Sequence, residues 1–460
     1  MAGNAAPFMN PRERLRFGLA RLQAQDWQEA ECCFARLHQE KPPGLDLRRV
    51  RLVLAAARHG QNKLIPAMQL LLPLLGDQRD SRWFEEAVLH YGSLCFELGL
   101  AQHWLDCCDR LGVSFDMGQE TKSKNLQLVA MRGAAKLLVG DYRGGWADSG
   151  ARSAVGMSRY LAASLPRWLD GQHNSKARLL LLADQGFGDL LFSLRFVPVL
   201  RQQVAFLQLA CPPELGRFMV QTQLFDVVQT SDVIRPAEFD GCEYLTSLPV
   251  LLEIDSPDQV PPPDLKFAPE SCADWTLALS SSRNDAPLVA LNWQGGKAAE
   301  SIYSGGIRER SFSADVLEQV SSLRRCDLLS VQVGVAAQQI KGTSLATQLV
   351  PQQALFDSAP DDFLTTASVL MRCDLLITND TSVAHLGGCL GLPTWVVLRK
   401  HPSWHWGDSD EQSPWYPSLR CFRQSIAFDW ISAMQAVDQA LAIWISDWCR
   451  RRGIQESPGP

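Results

Sequence analysis

The sequence predicts an α + α/β chain: helical repeats at the N-terminus, then two doubly wound units built on parallel sheets. Three observations lead there. Residues 11–155 carry helical periodicity only, with small residues recurring at Gly18, Ala55, Gly92 and Gly133. Beyond about residue 172 the period changes to short apolar runs alternating with helical stretches. A Pro-rich stretch, SPDQVPPPDLKFAPESCADW (256–275), interrupts that alternation near its middle.

In the helical part, FGLARLQAQDWQEAECCFARLHQEKP spaces Phe17, Gly18, Ala30, Phe34 and Pro42 as a tetratricopeptide helix-turn-helix does. Small residues let the two helices touch, and the Pro stops the second one. Arg21 stands where that repeat usually has Tyr. The recurring small residues are 37, 37 and 41 residues apart, looser than the usual ~34-residue period, so the later repeats are degenerate. LLVGDYRGGWADSGARS is expected to be the last helix pair, which gives a repeat domain over 1–160.

The strand-length apolar runs are 179–182, 204–209, 288–293, 328–333, 375–378 and 395–398. Helical stretches at 189–200, 313–320, 361–371 and 382–390 alternate with them. Continuous apolar strands separated by helices imply parallel sheets covered on both faces. The expected domains are 172–285 and 286–427, with a C-terminal helix and tail over 428–460. Ligands of such units bind in the crevice at the carboxyl ends of the strands.

Composition narrows the function. Of 460 residues, 46% are hydrophobic and 20% charged, the net charge is −6 and the predicted pI is about 5.8. No broad basic excess is available to read a phosphate backbone, so nucleic acid is not expected as a partner. The N-terminal MAGNAAPFMNPRERLR lacks a signal-peptide core, and no apolar run reaches the ~18 residues of a membrane span. A cytoplasmic location with no transmembrane segment is expected. The thirteen cysteines include adjacent pairs at 32–33 and 107–108 but no CxxC or Cys/His spacing, so reduced thiols and no metal site are expected.

Several strand ends could carry chemistry. LLLLADQGFGDLLFSLRFVPVL runs from a strand into Gly186 and Gly188 and then a helix, with Asp189 in its first turn. Glycines there allow close approach to a ligand, beside the unpaired N–H groups of a helix N-terminus. From spacing alone Asp189 reads first as a helix cap and second as a general base. VALNWQGG (289–296) ends a strand in Asn292, Trp293 and Gln294; LLSVQVG leaves Gln332 at another strand end. RERSFSADVLEQV places Arg308 and Arg310 before a helix, where a guanidinium suits a diphosphate. In LLITNDTSVAHLGGCLGLPTW a strand ends on Asn379, Asp380, Thr381 and Ser382 as a helix begins, with His385 one turn in. Hydroxyls and backbone N–H groups converge there, a geometry that favours an anionic ligand. Gly387 and Gly388 let this helix pack closely. His401 and His405 have no carboxylate in reach by sequence, so an aromatic loop is preferred to a metal pair.

With these residues in view, the chain resembles the family 9 glycosyltransferases, and more closely the bacterial proteins in which tetratricopeptide repeats precede such a domain. The resemblance covers nearly the whole chain and rests on several separated segments: GDYRGGWADSGARS, LPRWLDG, LLADQGFGDLLFSLRFVPVL and LPTWVVLRKHPSWHWGDSDEQSPWYPSLRCFRQ. It implies a GT-B pair of Rossmann-like domains, the first on the acceptor side and the second holding a sugar-nucleotide donor. It implies inverting transfer without metal or other cofactor. Asp189 matches the family's catalytic Asp, which reverses the preference for capping. Asp380, Thr381 and His385 match its D-T-x-x-x-H donor motif. Arg310 lies where members carry a cation facing the donor phosphates, with Arg308 as the alternative; Ser382, Gln332 and Trp293 complete the expected donor side. Gly186 and Gly188 are assigned to the phosphate or acceptor loop. Departures are Asp184 where the fusions commonly read Glu, and His405 where Arg is usual. The expected function is glycosyl transfer from a nucleotide sugar to an acceptor hydroxyl, on a protein presented by the repeats. The alternatives are a glycan or lipid acceptor, or a non-catalytic binding scaffold.

Overall fold

The computed structural model describes residues 9–76, 82–113, 123–150, 165–168, 175–231, 233–263, 265, 267, 276, 279, 286–295, 310–360, 362–408, 411–427 and 429–454. Among these, residues up to 135 form one compact unit and residues from 136 onward a second.

The first unit is built of helix hairpins: α1 (Pro11–Gln23) with α2 (Trp27–Glu40), α3 (Leu47–His59) with α4 (Leu64–Leu75), and α5 (Arg82–Glu97) with α6 (Ala101–Leu111). α7 (Ser123–Leu138) crosses into the second unit, where Leu137 packs against Gly145 of α8 (Tyr142–Ser149). Local chemistry starts these helices. Asn10 and Glu13 form a reciprocal capping box on α1, Asp26 caps α2, and Asp46 caps α3. The expected small residues Gly18, Ala55, Gly92 and Gly133 fall in α1, α3, α5 and α7, the first helix of each hairpin. At Gly18 the reason is plain: a Cβ would lie 2.6 Å from the Phe34 ring of α2. Phe34 sits at the centre of a core with Leu15, Ala30, Leu37, Val50 and Leu54.

The second unit holds two parallel sheets. The first contains β1 (Arg178–Leu182), β2 (Phe206–Ala210), β3 (Val227–Gln229) and β4 (Gly241–Tyr244) in the order β3-β2-β1-β4. The second contains β5 (Leu288–Leu291), β6 (Asp327–Ser330), β7 (Leu375–Asn379), β8 (Thr394–Leu398) and β9 (Leu419–Arg423) in the order β6-β5-β7-β8-β9. Each order reverses beside the first strand of its sheet. That is the topological switch point at which doubly wound sheets open a crevice. Four helices matter below: α9 (Phe187–Ser193) after β1, α10 (Pro213–Gln221), α11 (Phe363–Leu370), and α12 (Ser382–Cys389) after β7. The terminal α13 (Trp430–Arg452) buries Met434, Val437, Leu441 and Ile445 in the core of the second sheet.

The apolar runs became strands where they were expected. β3, β4 and β9 were not expected, because each lacks a continuous apolar run. β3 is a three-residue edge strand; β9 alternates as LRCFR. β4 carries Glu243, fully buried and ion-paired with Arg167. The stretch 313–320, expected as a helix, forms a 3₁₀ helix over Ala314–Gln319. The helix α10 was also missed. Within the Pro-rich stretch, the Leu265 N–H donates to the Cys389 carbonyl at 3.2 Å and Phe267 packs on Phe218 of α10. Among the described residues no helix is long and apolar enough to cross a membrane. The described cysteines are free thiols, nearly all buried. Burial pushes Cys95 and Cys108 up to about 12, which leaves them unreactive.

The Gly18–Phe34 contact makes a direct test. Gly18→Val should destabilise the helical unit by about 1–3 kcal/mol through overpacking. Gly18→Val combined with Phe34→Leu should recover part of that loss, measured by guanidinium unfolding followed by circular dichroism.

Candidate functional site

β1 ends in Ala183, and the chain turns through Asp184, Gln185 and Gly186 into α9. The turn is tight: Gln185 takes a left-handed backbone with φ of 68°, a strained conformation for a residue with a side chain. Asp184 anchors it, accepting from the Thr246 hydroxyl at 2.6 Å and the Thr246 N–H at 3.3 Å. Burial raises the Asp184 carboxyl above its ordinary range, and these hydrogen bonds oppose the shift. Gly186 is the extended N-cap of α9, and Asp189 follows in the first turn. The Asp189 side chain is 31% exposed. It lines a pocket with Gln185, Ser193, Thr246, Trp146 of α8 and Trp404.

β7 hands over to α12 at Thr381, which is in extended conformation and makes no side-chain cap hydrogen bond. Its hydroxyl instead accepts from Asn292 Nδ2 at 3.3 Å. The first N–H groups of α12 therefore lack the usual hydroxyl partner, and the helix end stays electropositive. Asp380 is buried, with Oδ2 4.0 Å from Arg310 Nη1; the Arg310 side chain is one-third exposed. That separation exceeds hydrogen-bond reach but leaves carboxylate and guanidinium facing each other.

α9 and α12 meet directly. A Cβ on Gly188 would lie 2.9 Å from the His385 ring and 3.7 Å from the Ser382 Cα. Cys389 Sγ donates to the Leu191 carbonyl at 3.3 Å, and Arg195 Nη1 donates to the Trp415 carbonyl at 2.8 Å. Gly388 lies against the Tyr416 ring, where a Cβ would come within 2.4 Å, and Gly387 similarly meets Thr394 of β8. His385 Nδ1 and the Tyr416 hydroxyl are 3.0 Å apart. Burial depresses His385 to about 3, so it is neutral near pH 7; the same burial lifts Tyr416 well above its ordinary value.

The structure thus brings Gly186, Gly188 and Asp189 to one helix start, and Asp380, Thr381, Ser382 and His385 to another packed against it. Arg310 stands beside Asp380. Arg308 lies outside the described residues. Two expected donor residues are placed differently. Trp293 is fully buried in the core of the second sheet, and its indole N–H donates to Gln339 at 3.0 Å. Gln332 clamps the β5 turn: Oε1 accepts the N–H groups of Trp293 and Gln294 at 3.1 and 2.8 Å, and Nε2 donates to the Gln294 carbonyl at 3.0 Å. Asn379 likewise donates to the Arg310 carbonyl at 2.7 Å and fixes that backbone. The loop after β8, with Trp404, His405 and Trp406, is an interior aromatic cluster: Trp406 is fully buried and His405 stacks on Trp404 with centroids 3.6 Å apart. Among the described residues no group of three His, Cys, Asp or Glu side chains is arranged to hold a metal. Sequence reasoning missed Gln185, Thr246 and Trp146. The only signal for Gln185 was its position before Gly186 in the turn.

No protein-family model matches the chain, and no curated protein matches it. Solved structures do. The ADP-heptose lipopolysaccharide heptosyltransferase II of E. coli matches at 10% identity over 59% of this chain and 99% of its own, with a TM-score of 0.40. A family 9 glycosyl transferase from Veillonella parvula matches at 12% identity over 60% and 99%, with a TM-score of 0.42. An O-GlcNAc transferase mutant from Thermobaculum terrenum matches at 11% identity over 97% and 95%, with a TM-score of 0.28. At these identities and scores the likenesses assign no activity to this chain.

Neutral, buried His385 couples stability to pH. Its folded pKa lies below the unfolded value of about 6.5, so as pH falls through 6.5 the unfolded chain takes up a proton that the folded chain refuses. Stability from this residue is intact above pH 6.5 and declines toward pH 3. His385→Gln should remove about 1.4 kcal/mol of the stability difference between pH 7.5 and 5.5 in guanidinium unfolding.

Proposed function

We propose that the chain is a glycosyltransferase that moves a sugar from a nucleotide-sugar donor to an acceptor hydroxyl. The observation that carries this reading is the meeting of α9 and α12 at Gly188 and Ser382, which brings the helix start that carries Asp189 against the start of α12, where Thr381 makes no side-chain cap. A base and an anion-stabilising helix end are what displacement of a diphosphate from an anomeric carbon requires. Two sheets facing each other through these helices correspond to a GT-B arrangement, and the sequence resemblance to family 9 glycosyltransferases points to the same residues.

In this reading Asp189 takes the proton of the acceptor hydroxyl as its oxygen attacks the anomeric carbon, and the configuration inverts. The bond to the diphosphate breaks with its electron pair on the leaving oxygen. The N–H groups at the start of α12 and the guanidinium of Arg310 stabilise that charge, with Asp380 holding Arg310 toward them. His385, kept neutral by burial, adds no positive charge that would compete with Arg310. The reaction needs no metal, since the helix end and Arg310 supply the countercharge. The N-terminal hairpins are read as degenerate tetratricopeptide repeats, which present an extended surface suited to a peptide. The acceptor is therefore a protein hydroxyl.

The deciding experiment pairs a thermal-shift panel of nucleotide sugars with turnover of the donor that binds. Asp189→Asn should leave melting and donor affinity nearly unchanged while turnover falls about 10²-fold or more. A well-folded Asp189→Asn variant with wild-type turnover would move the base elsewhere. Arg310→Ala should instead weaken nucleoside diphosphate binding at least tenfold in calorimetric titration. EDTA should leave turnover unchanged; loss restored by a divalent ion would overturn the metal-free mechanism. Label recovered in a lipid or glycan fraction, with none on protein, would replace the protein acceptor.

A further inference from the structure

The loop after β8 brings one more ionisable side chain to Asp189, and the chemistry above makes no use of it. His405 enters from the second sheet, its side chain only 8% exposed, with Nε2 3.5 Å from Asp189 Oδ1. Its other nitrogen, Nδ1, lies 3.3 Å from the Ser403 hydroxyl. The ring is fixed from three sides. It stacks on Trp404, and it meets Phe192 of α9 and His385 of α12 at centroid distances of 5.0 and 4.7 Å. Arg423 of β9 holds the loop from behind, donating to the Trp406 carbonyl at 2.6 Å and the Gly407 carbonyl at 3.1 Å.

We propose that His405 is a positioning residue for Asp189, its imidazolium holding Oδ1 so that Oδ2 stays directed at the acceptor hydroxyl. The proposal rests on the glycosyl-transfer reading and deepens it. Oδ2 lies on the side of Gly186, where a Cβ would approach it to 3.4 Å and the absence of one leaves that flank open. In the step itself the acceptor O–H bond breaks and its proton passes to Oδ2. The oxygen's electron pair forms the bond to the anomeric carbon, and the sugar–diphosphate bond breaks with its pair on the diphosphate. His405 exchanges no proton in this step. It restricts the carboxylate's rotation and keeps it ionised, as an opposite charge in contact does.

The charged and titratable groups around the ring are consistent with that role. On α9, Asp189 faces it. On α12, His385 faces it and is neutral, since burial takes it to about 3. Arg195 stacks over Phe192 and Tyr416 behind these two. Arg423 directs its Nη2 to the loop carbonyls of Trp406 and Gly407. Ser403 at Nδ1 is satisfied by either protonation state of His405, because a hydroxyl donates as readily as it accepts.

The test uses the full chain labelled with ¹³C and ¹⁵N in histidine, eight residues in all, with the His405 signal assigned by its loss in His405→Asn. In Asp189→Asn the His405 titration midpoint should fall by about one to three pH units. An unchanged midpoint overturns the pairing, whether or not any donor is turned over. With the donor identified by the thermal-shift panel, His405→Asn should lower kcat about tenfold and move the acidic limb of its pH profile up by about one unit. Donor affinity should not change. A wild-type profile in a folded His405→Asn variant would overturn the positioning role. Absence of turnover with every donor in the wild-type chain would count against glycosyl transfer alone, because the titration decides the pairing independently.

Discussion

Two helices from two different sheets, α9 and α12, are seated on each other with no side chain between Gly188 and the ring of His385. Every other feature of the site depends on that close approach. It lets the start of one helix, with Asp189, face the start of the other, with Ser382. Cys389 of α12 donates to the Leu191 carbonyl of α9 across this contact, and just beyond α9 Arg195 reaches the carbonyl of Trp415 in the loop before β9. Gly388 then lets Tyr416 lie flat against α12, which puts the phenol within reach of His385. A side chain at any of these glycines would widen the gap by about the thickness of a methyl group, enough to separate groups that act at hydrogen-bond distance.

Burial sets the electrostatics around this contact. His385, Tyr416 and Cys389 are all kept in their neutral forms by removal from water. Two of the charged groups lie nearer the surface, Asp189, about one-third exposed, and Arg310, similarly placed, and each faces a buried partner, His405 and Asp380. The polar residues deeper at the strand ends serve the backbone. Asn292 binds Thr378, Asn379 and Thr381 with one amide nitrogen, and Gln332 satisfies two consecutive N–H groups of the β5 turn. Such buried networks rigidify a loop only when fully paired, and that rigidity holds the helix ends in register.

The helical unit follows a different physical logic. Its hairpins are joined by short turns and the first three helices are capped by Asn10, Asp26 and Asp46, so its organisation depends on contacts close in sequence. In the small-residue series spaced 37, 37 and 41 apart, Gly18 lies against Phe34 of α2 and Gly92 against Trp104 of α6. Where a bulky ring such as Phe34 fills the opposite side, glycine is the residue that fits.

What could be read from the sequence was whatever has a period or a cap. The helix hairpins, six of the strands, the handover from β7 to α12 and the turn into α9 all announce themselves by apolar spacing and by glycine, aspartate and hydroxyl placement. Asp189, Asp380, Thr381, Ser382 and His385 could be singled out because they stand where such elements begin. β3, β4 and β9 could not, because edge strands and a strand with a buried ion pair lack the continuous apolar run. Polar residues at strand ends look alike whether they face a ligand or a neighbouring backbone. Only the packed chain showed Gln332 clamping the β5 turn and Trp293 filling the core. The same holds for His405 and Asp189, 216 residues apart by their numbers. No local pattern records that proximity, because it is produced by the meeting of two sheets.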